Sequence, residues 1–252
     1  MQFIDSHCHI HSKDYMVDPS LAIKNATDFG VNKLICVGCD ENDSQLAVDF
    51  ANQHKNVWAS IGLHPHDAKM GQAAFDKLTT LVKSPKVVAI GECGLDYFYN
   101  HSSKEDQEKA LIFQIKLALA NNLPIIFHVR DAFEDFWPIL DKFTGVRGVI
   151  HSFTANDKDL NGALERGLFI GLNGIMTFTK DTAQLETARK VPLGKLILET
   201  DSPFLTPKPL RGKVNEPKNV VLTAEFLAQL RIEELEVLAA SSTANAENLF
   251  GI

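Results

Sequence analysis

The sequence predicts a single (β/α)8 barrel, a TIM barrel, as one domain over residues 1–252, with extra helices at its C-terminal end. Three observations carry that expectation. Short Val/Ile/Leu-rich runs alternate with amphipathic stretches along the whole chain, the pattern of parallel strands buried on both faces and separated by helices. There are eight such runs, and eight units over roughly 250 residues suit a closed barrel better than an open sheet. No linker or composition shift divides the chain, which is 45% hydrophobic and 23% charged, so no domain boundary suggests itself.

The strands are expected at 3–6, 33–38, 57–62, 87–91, 124–128, 148–151, 168–172 and 195–199. Helical periodicity fills the intervals at 19–29, 43–54, 73–82, 104–121, 132–143, 157–166 and 181–190. Gly30, Gly167 and the Asn121-Asn122 pair stand where helices should stop. After the eighth strand comes a Pro-rich loop over 202–217, then helical runs at 220–230, 232–240 and 243–250. A loop of that length in a compact domain is usually functional.

Charge and targeting signals narrow the classes. Lys and Arg total 25 against 32 Asp and Glu, a formal charge of −7. No global basic field therefore recruits nucleic acid, although a local metal charge could still handle phosphate. No apolar run approaches the ~18 residues of a membrane span, and the opening Met1-Gln2-Phe3-Ile4-Asp5 lacks a signal segment. Cytosol is the expected compartment and a monomer the expected state. Of four cysteines, Cys36 and Cys39 have C-x-x-C spacing. With no second pair and no thioredoxin-like helix opening, ordinary buried thiols are expected.

Chemistry concentrates at the strand ends. The first strand runs into His7-Cys8-His9, and alternate side chains share a face, so both imidazoles point one way. The third ends at His64, the fourth at Glu92, the fifth at His128, the sixth at His151 and the eighth at Glu199-Thr200-Asp201. Barrel enzymes carry their chemistry on that C-terminal rim. His7, His9, Glu92, His128, His151 and Asp201 form a nitrogen-rich donor set with two carboxylates, which suits Zn²⁺ or Mn²⁺ and Mg²⁺ less well. Six donors exceed what one catalytic zinc takes, so two divalent ions sharing Glu92 are expected, with Asp201 also orienting the attacking water.

The same residues carry a family resemblance. Phe3-Ile-Asp-Ser-His-Cys-His9, Gly62-Leu-His-Pro65, Ile90-Gly-Glu-Cys-Gly-Leu-Asp-Tyr97, His128-Val-Arg-Asp-Ala132, His151-Ser-Phe153, Leu198-Glu-Thr-Asp-Ser-Pro203 and Arg211-Gly-Lys-Val-Asn-Glu-Pro217 occur in order over nearly the full length. In these motifs the chain resembles the TatD family of metal-dependent deoxyribonucleases, within the amidohydrolase-like superfamily. The resemblance implies a two-metal site from the six donors and places His64 near the substrate phosphate. It also implies hydrolysis of DNA, 3′ exonuclease action on single-stranded ends being the expected form. His11 departs from the family pattern.

Further residues are expected around the substrate. His64 would hydrogen-bond a non-bridging phosphate oxygen, and Arg130 or Arg211 would hold a neighbouring phosphate bidentately. Tyr97, Phe98, Phe153 and Phe204 would stack bases, Phe153 and Phe204 having loop packing as the other use. Arg130 could instead pair with Asp131 or Glu134. His66 reads as a solvated loop residue, and Glu199 as either a supporting carboxylate or a third metal-facing acid. Asp5 reads as a support beneath His7, and Asp96 as a cap for the loop after Glu92. The competing reading is a small-molecule amidohydrolase or esterase on the same metals. In that superfamily the fourth strand typically supplies a carboxylated lysine where this chain has Glu92.

Overall fold

The structure, a computed structural model, describes residues 1–99 and 101–252. Its strands are β1 (Phe3–Cys8), β2 (Val31–Val37), β3 (Val57–Ile61), β4 (Val87–Asp96), β5 (Ile125–Arg130), β6 (Gly148–Ile150), β7 (Phe169–Leu172) and β8 (Leu196–Leu198). The helices are α1 (Pro19–Asp28), α2 (Glu41–Gln53), α3 (Gln72–Leu81), α4 (Lys104–Ala120), α5 (Phe133–Leu140), α6 (Asp157–Glu165), α7 (Thr182–Lys190), α8 (Val220–Arg231) and α9 (Leu235–Phe250). The eight strands belong to one sheet in chain order, the (β/α)8 architecture the sequence predicts. Among the described residues no helix is long and apolar enough to cross a membrane.

Local chemistry explains the element boundaries. Side chains of Asp18, Asp40, Ser103, Asn156 and Asp181 accept backbone amides at the starts of α1, α2, α4, α6 and α7, satisfying donors that a helix leaves open. Gly30, Asn122 and Gly167 follow helices with φ of 82°, 53° and 73°, the left-handed conformation that ends a helix. The tail differs from expectation. One helix, α9, covers 235–250 where the sequence predicts two short ones, and Ile232 at φ 55° closes α8 before it.

The residues group into two compact units. One comprises Met1–Cys36 and Ser152–Ile252. In it β1 pairs with β2, Cys8 opposite Cys36, and Cys8 also bridges Ser202 beyond β8. Asn245 of α9 donates to the carbonyls of Leu193 and Leu196 at 2.9 and 2.8 Å. That pair of bonds holds the tail helix at the entry to β8.

The other unit is Val37–His151, where β4 pairs with β3 and β5. Strand β4 continues five residues past the expected end, so Glu92 and Asp96 both lie within it. Gly94 permits this, because a Cβ there would overlap the His128 carbonyl. Two buried glutamines of α4 secure the backbone where β3 and β4 run out. Gln114 accepts from the Leu63 amide at 2.8 Å and donates to the Leu63 carbonyl at 3.0 Å. Gln107 does the same to Asp96, at 2.8 and 3.1 Å.

Candidate metal centre

In the first unit, β1 delivers His7 and His9 to one face. Their Nε2 atoms lie 3.1 Å apart, and Asp201 Oδ1 is 3.6 Å from the first and 3.3 Å from the second. Cys8 points the other way, its Sγ 3.4 Å from the Ile35 carbonyl and 4.0 Å from Cys36 Sγ. Asp201 sits at φ 58°, which an aspartate tolerates better than most residues. Its amide donates to the His7 carbonyl at 2.8 Å.

The neighbours of Asp201 are tied down as firmly. Thr200 donates through its amide and its hydroxyl to Asp5, at 2.8 and 2.5 Å. Asn215 donates to the carbonyls of Thr200 and Phe204, at 3.0 and 2.7 Å. Asp5 thus braces the turn that carries Asp201, and it also accepts the His7 amide at 3.3 Å. Burial pushes the Asp5 carboxyl above the usual carboxylate range, although the Thr200 and His7 bonds pull the other way.

These three donors fit a cation. Ligands around a tetrahedral zinc at roughly 2.0–2.1 Å stand about 3.3 Å from one another, close to the observed triangle of 3.1, 3.3 and 3.6 Å. Two neutral imidazoles and a carboxylate are also the donor chemistry that zinc and manganese prefer.

In the second unit, Glu92 is the hub. Its Oε1 lies 2.6 Å from His128 Nδ1, 3.7 Å from His64 Nε2 and 3.9 Å from His151 Nε2. His64, Glu92 and His128 are grouped closely enough to share one ion. The far nitrogen of His128, Nε2, donates to Asp96 Oδ2 at 3.0 Å, and His66 Nε2 donates to the same oxygen at 3.1 Å. Asp96 Oδ1 accepts the amides of Phe98 and Tyr99 at 2.9 and 3.0 Å.

This network sets proton positions. Burial disfavours charge on His128, but the bonds to Asp96 and Glu92 outweigh it and lift the imidazole to about 9. Burial likewise raises the Asp96 carboxyl, yet the His128 and Tyr99 bonds prevail and hold it well below its usual range. His64 moves the opposite way, lowered by burial and then by the neighbouring His128. Its Nδ1 accepts the His66 amide at 3.2 Å, capping the short 3-10 helix Pro65–Met70. A neutral His64 with Nδ1 engaged as acceptor must carry its proton on Nε2. The atom nearest Glu92 is therefore a donor.

The family model for TatD related DNase matches residues 4–251. The chain belongs to the TatD-related DNase family. As a member it is an enzyme, a metal-dependent hydrolase. The 3′-5′ ssDNA/RNA exonuclease TatD of Escherichia coli is 36% identical over 258 residues, covering 98% of both chains. An uncharacterized metal-dependent hydrolase of Bacillus subtilis, YabD, is 36% identical over 251 residues, again covering 98% of both. The crystal structure of YjjV, a TatD homologue from E. coli, superposes with a TM-score of 0.93 at 27% identity, covering 99% of this chain and 98% of that one.

Within this TatD-family chain the other expected residues fall out unevenly. Arg130 lies with its guanidinium 3.8 Å from the Phe98 ring centre, and Arg211 lies 3.8 Å from that of Phe178 while donating to the Thr206 carbonyl at 3.1 Å. Both arginines are exposed. Phe204 is exposed beside His9, their ring centres 6.3 Å apart. Phe153 corrects the base-stacking expectation: at 3% exposure it packs beneath its loop and offers no face to a substrate. Glu199 is a supporting carboxylate, accepting the Ser152 amide at 2.7 Å and Asn173 Nδ2 at 3.3 Å. His66 is no solvated loop residue, since it is tied to Asp96. Cys8, Cys36 and Cys93 are buried as expected, whereas Cys39 is only partly so.

Asp96 does cap the chain beyond β4, but its bond to His128 goes past what the motifs signal. Strand alternation carries the clue: residues 92, 94 and 96 share a face once β4 is allowed its full length.

Proposed function

We propose that this chain is a two-metal nuclease that shortens single-stranded DNA from its 3′ end, working as one domain over residues 1–252. The observation that carries the reading is the pair of histidine–carboxylate donor groups, His7–His9–Asp201 and Glu92–His128–His151. His9, His151 and Asp201 lie just beyond β1, β6 and β8, and His7, Glu92 and His128 lie in the C-terminal halves of β1, β4 and β5, toward the rim where barrel enzymes carry chemistry. The polarity and the single-stranded substrate are supported by the E. coli relative, which is named a 3′-5′ ssDNA/RNA exonuclease. Divalent ions, Zn²⁺, Mn²⁺ or Mg²⁺, would be held by His7, His9 and Asp201 in one group and by Glu92, His128 and His151 in the other. When bound, they supply the charge that acidifies a water and offsets the phosphate.

The remaining work is done by the chain. The second carboxylate oxygen of Asp201 takes the proton of the attacking water. His64 donates its Nε2 proton to a non-bridging phosphate oxygen, which gains charge as the new bond forms. Arg130 and Arg211 hold phosphates on the strand, each guanidinium already braced by a ring. Four cysteines outside any disulfide suit a reducing cytosol, and the enzyme works there as a monomer.

The test is an oligonucleotide labelled separately at each end and incubated with Mg²⁺, Mn²⁺, Zn²⁺ or EDTA. A metal-dependent ladder shortening from the 3′ end is the expected result, and shortening from the 5′ end overturns the polarity. Hydrolysis of a cyclic amide or an acyl ester, with no action on any phosphodiester, replaces the nuclease reading with a small-molecule hydrolase.

A further inference from the structure

The segment after β4 exposes two aromatic rings on a backbone that is firmly anchored. Phe98 is 55% and Tyr99 44% exposed. Asp96 Oδ1 accepts both of their amides, and Ser102 Oγ donates to the His66 carbonyl at 2.7 Å. The rings meet edge to face at 4.7 Å, and Tyr99 lies near-parallel to His101 at 5.8 Å. Leaving two large rings in water on a fixed backbone gains nothing for folding, because their apolar area contributes only when buried.

One cation lies against these rings and two more stand on neighbouring residues, in a chain whose net charge is −7. The Arg130 guanidinium lies 3.8 Å from the centre of Phe98 and 5.0 Å from that of Tyr99. Lys104 Nζ sits 3.7 Å over the neighbouring Tyr97 ring, and Lys69 Nζ donates to the His101 carbonyl at 3.3 Å. Exposed aromatic faces interleaved with positive charge suit unpaired nucleotides, whose bases stack while their phosphates find the cations.

We propose that Phe98 and Tyr99, with Arg130, form a stacking subsite for the unpaired bases at the end of a nucleic-acid strand. The inference rests on the nuclease reading and deepens it. Asp96 makes the link, because one of its oxygens holds the 98–99 backbone while the other holds His128. A base seated on these rings is thereby in fixed register with the donor group around Glu92.

The test uses metal-loaded protein and a phosphorothioate-linked single strand with 2-aminopurine as its terminal base. Stacking quenches this fluorophore, and the same strand with abasic terminal residues gives the affinity that bases do not supply. Wild-type protein should quench the probe and bind the base-bearing strand about tenfold more tightly than the abasic one, the scale of one base–aromatic stack. Phe98→Ala/Tyr99→Ala should lose both the quenching and the preference. Phe29→Ala, which removes a ring 60% exposed just after α1, should keep both. Equal binding of the two strands by wild type, or a preference that survives in the double variant, overturns the subsite. Base-dependent binding with no hydrolysis of ordinary strands under any metal overturns the nuclease reading and leaves the subsite standing.

Discussion

The Nε2 of His128 donates to Asp96 at 3.0 Å, and this bond decides which nitrogen of His128 faces Glu92. With Nε2 committed to Asp96, Nδ1 beside Glu92 is the nitrogen that would give up its proton to take a metal. Carboxylates bound to the outer nitrogen of a ligating histidine typically tune metal affinity 10- to 100-fold. Asp96→Asn should therefore weaken one metal equivalent by about that factor in calorimetric titration. An unchanged isotherm would remove Asp96 from the centre.

Glu92 sits among His64, His128 and His151. Glu92→Gln should abolish hydrolysis and reduce bound metal by at least one equivalent, with the circular dichroism of the wild type. Full turnover in metal-replete buffer would refute its proposed role.

His64 has two separable tasks, the helix cap through Nδ1 and donation through Nε2. His64→Ala should lower kcat about 100-fold, the usual loss for a donor to a developing oxyanion, and should cost about 1 kcal/mol of stability as a lost cap. His64→Asn should recover the stability but not kcat, because asparagine caps well and does not place a donor where Nε2 stood. Loss of a whole metal equivalent in either variant would make His64 a ligand instead.

Asn215 spans Asp201 by holding the carbonyls of Thr200 and Phe204. Asn215→Ala leaves both acceptors short of a donor and should destabilise the protein by about 2 kcal/mol in urea. It should also weaken metal binding at His7 and His9. Stability loss with unaltered metal affinity would confine Asn215 to structure.

Metal should also stabilise the fold, since ions that bind only the native state raise its apparent stability by about 2.7 kcal/mol at one hundred times Kd. Chelation should lower Tm, and restoring Zn²⁺ or Mn²⁺ should raise it in a concentration-dependent way. A Tm indifferent to metal would argue against binding at these donors.

Much of this was legible in the sequence because periodicity reports burial. The eight strands follow the Val/Ile/Leu runs, and five of those runs lead into the six residues read as candidate donors. What escaped depends on backbone paths that residue types do not encode. The continuation of β4 through Gly94 hid the alignment of Asp96 with Glu92. The aromatic residues after strands looked alike in sequence, and only packing separates buried Phe153 from exposed Phe98 and Phe204. Proton placement on His64 needed the His66 amide, which no motif reveals.

Gln107 and Gln114 bind main-chain amides and carbonyls of Asp96 and Leu63, much as an adjacent strand would. Such a grip is blind to the identity of the side chain it holds in place. Loops leaving β3 and β4 can therefore exchange residues for new substrates while the path of the chain stays put. Helix α4 supplies a fixed mount on which specificity is free to drift.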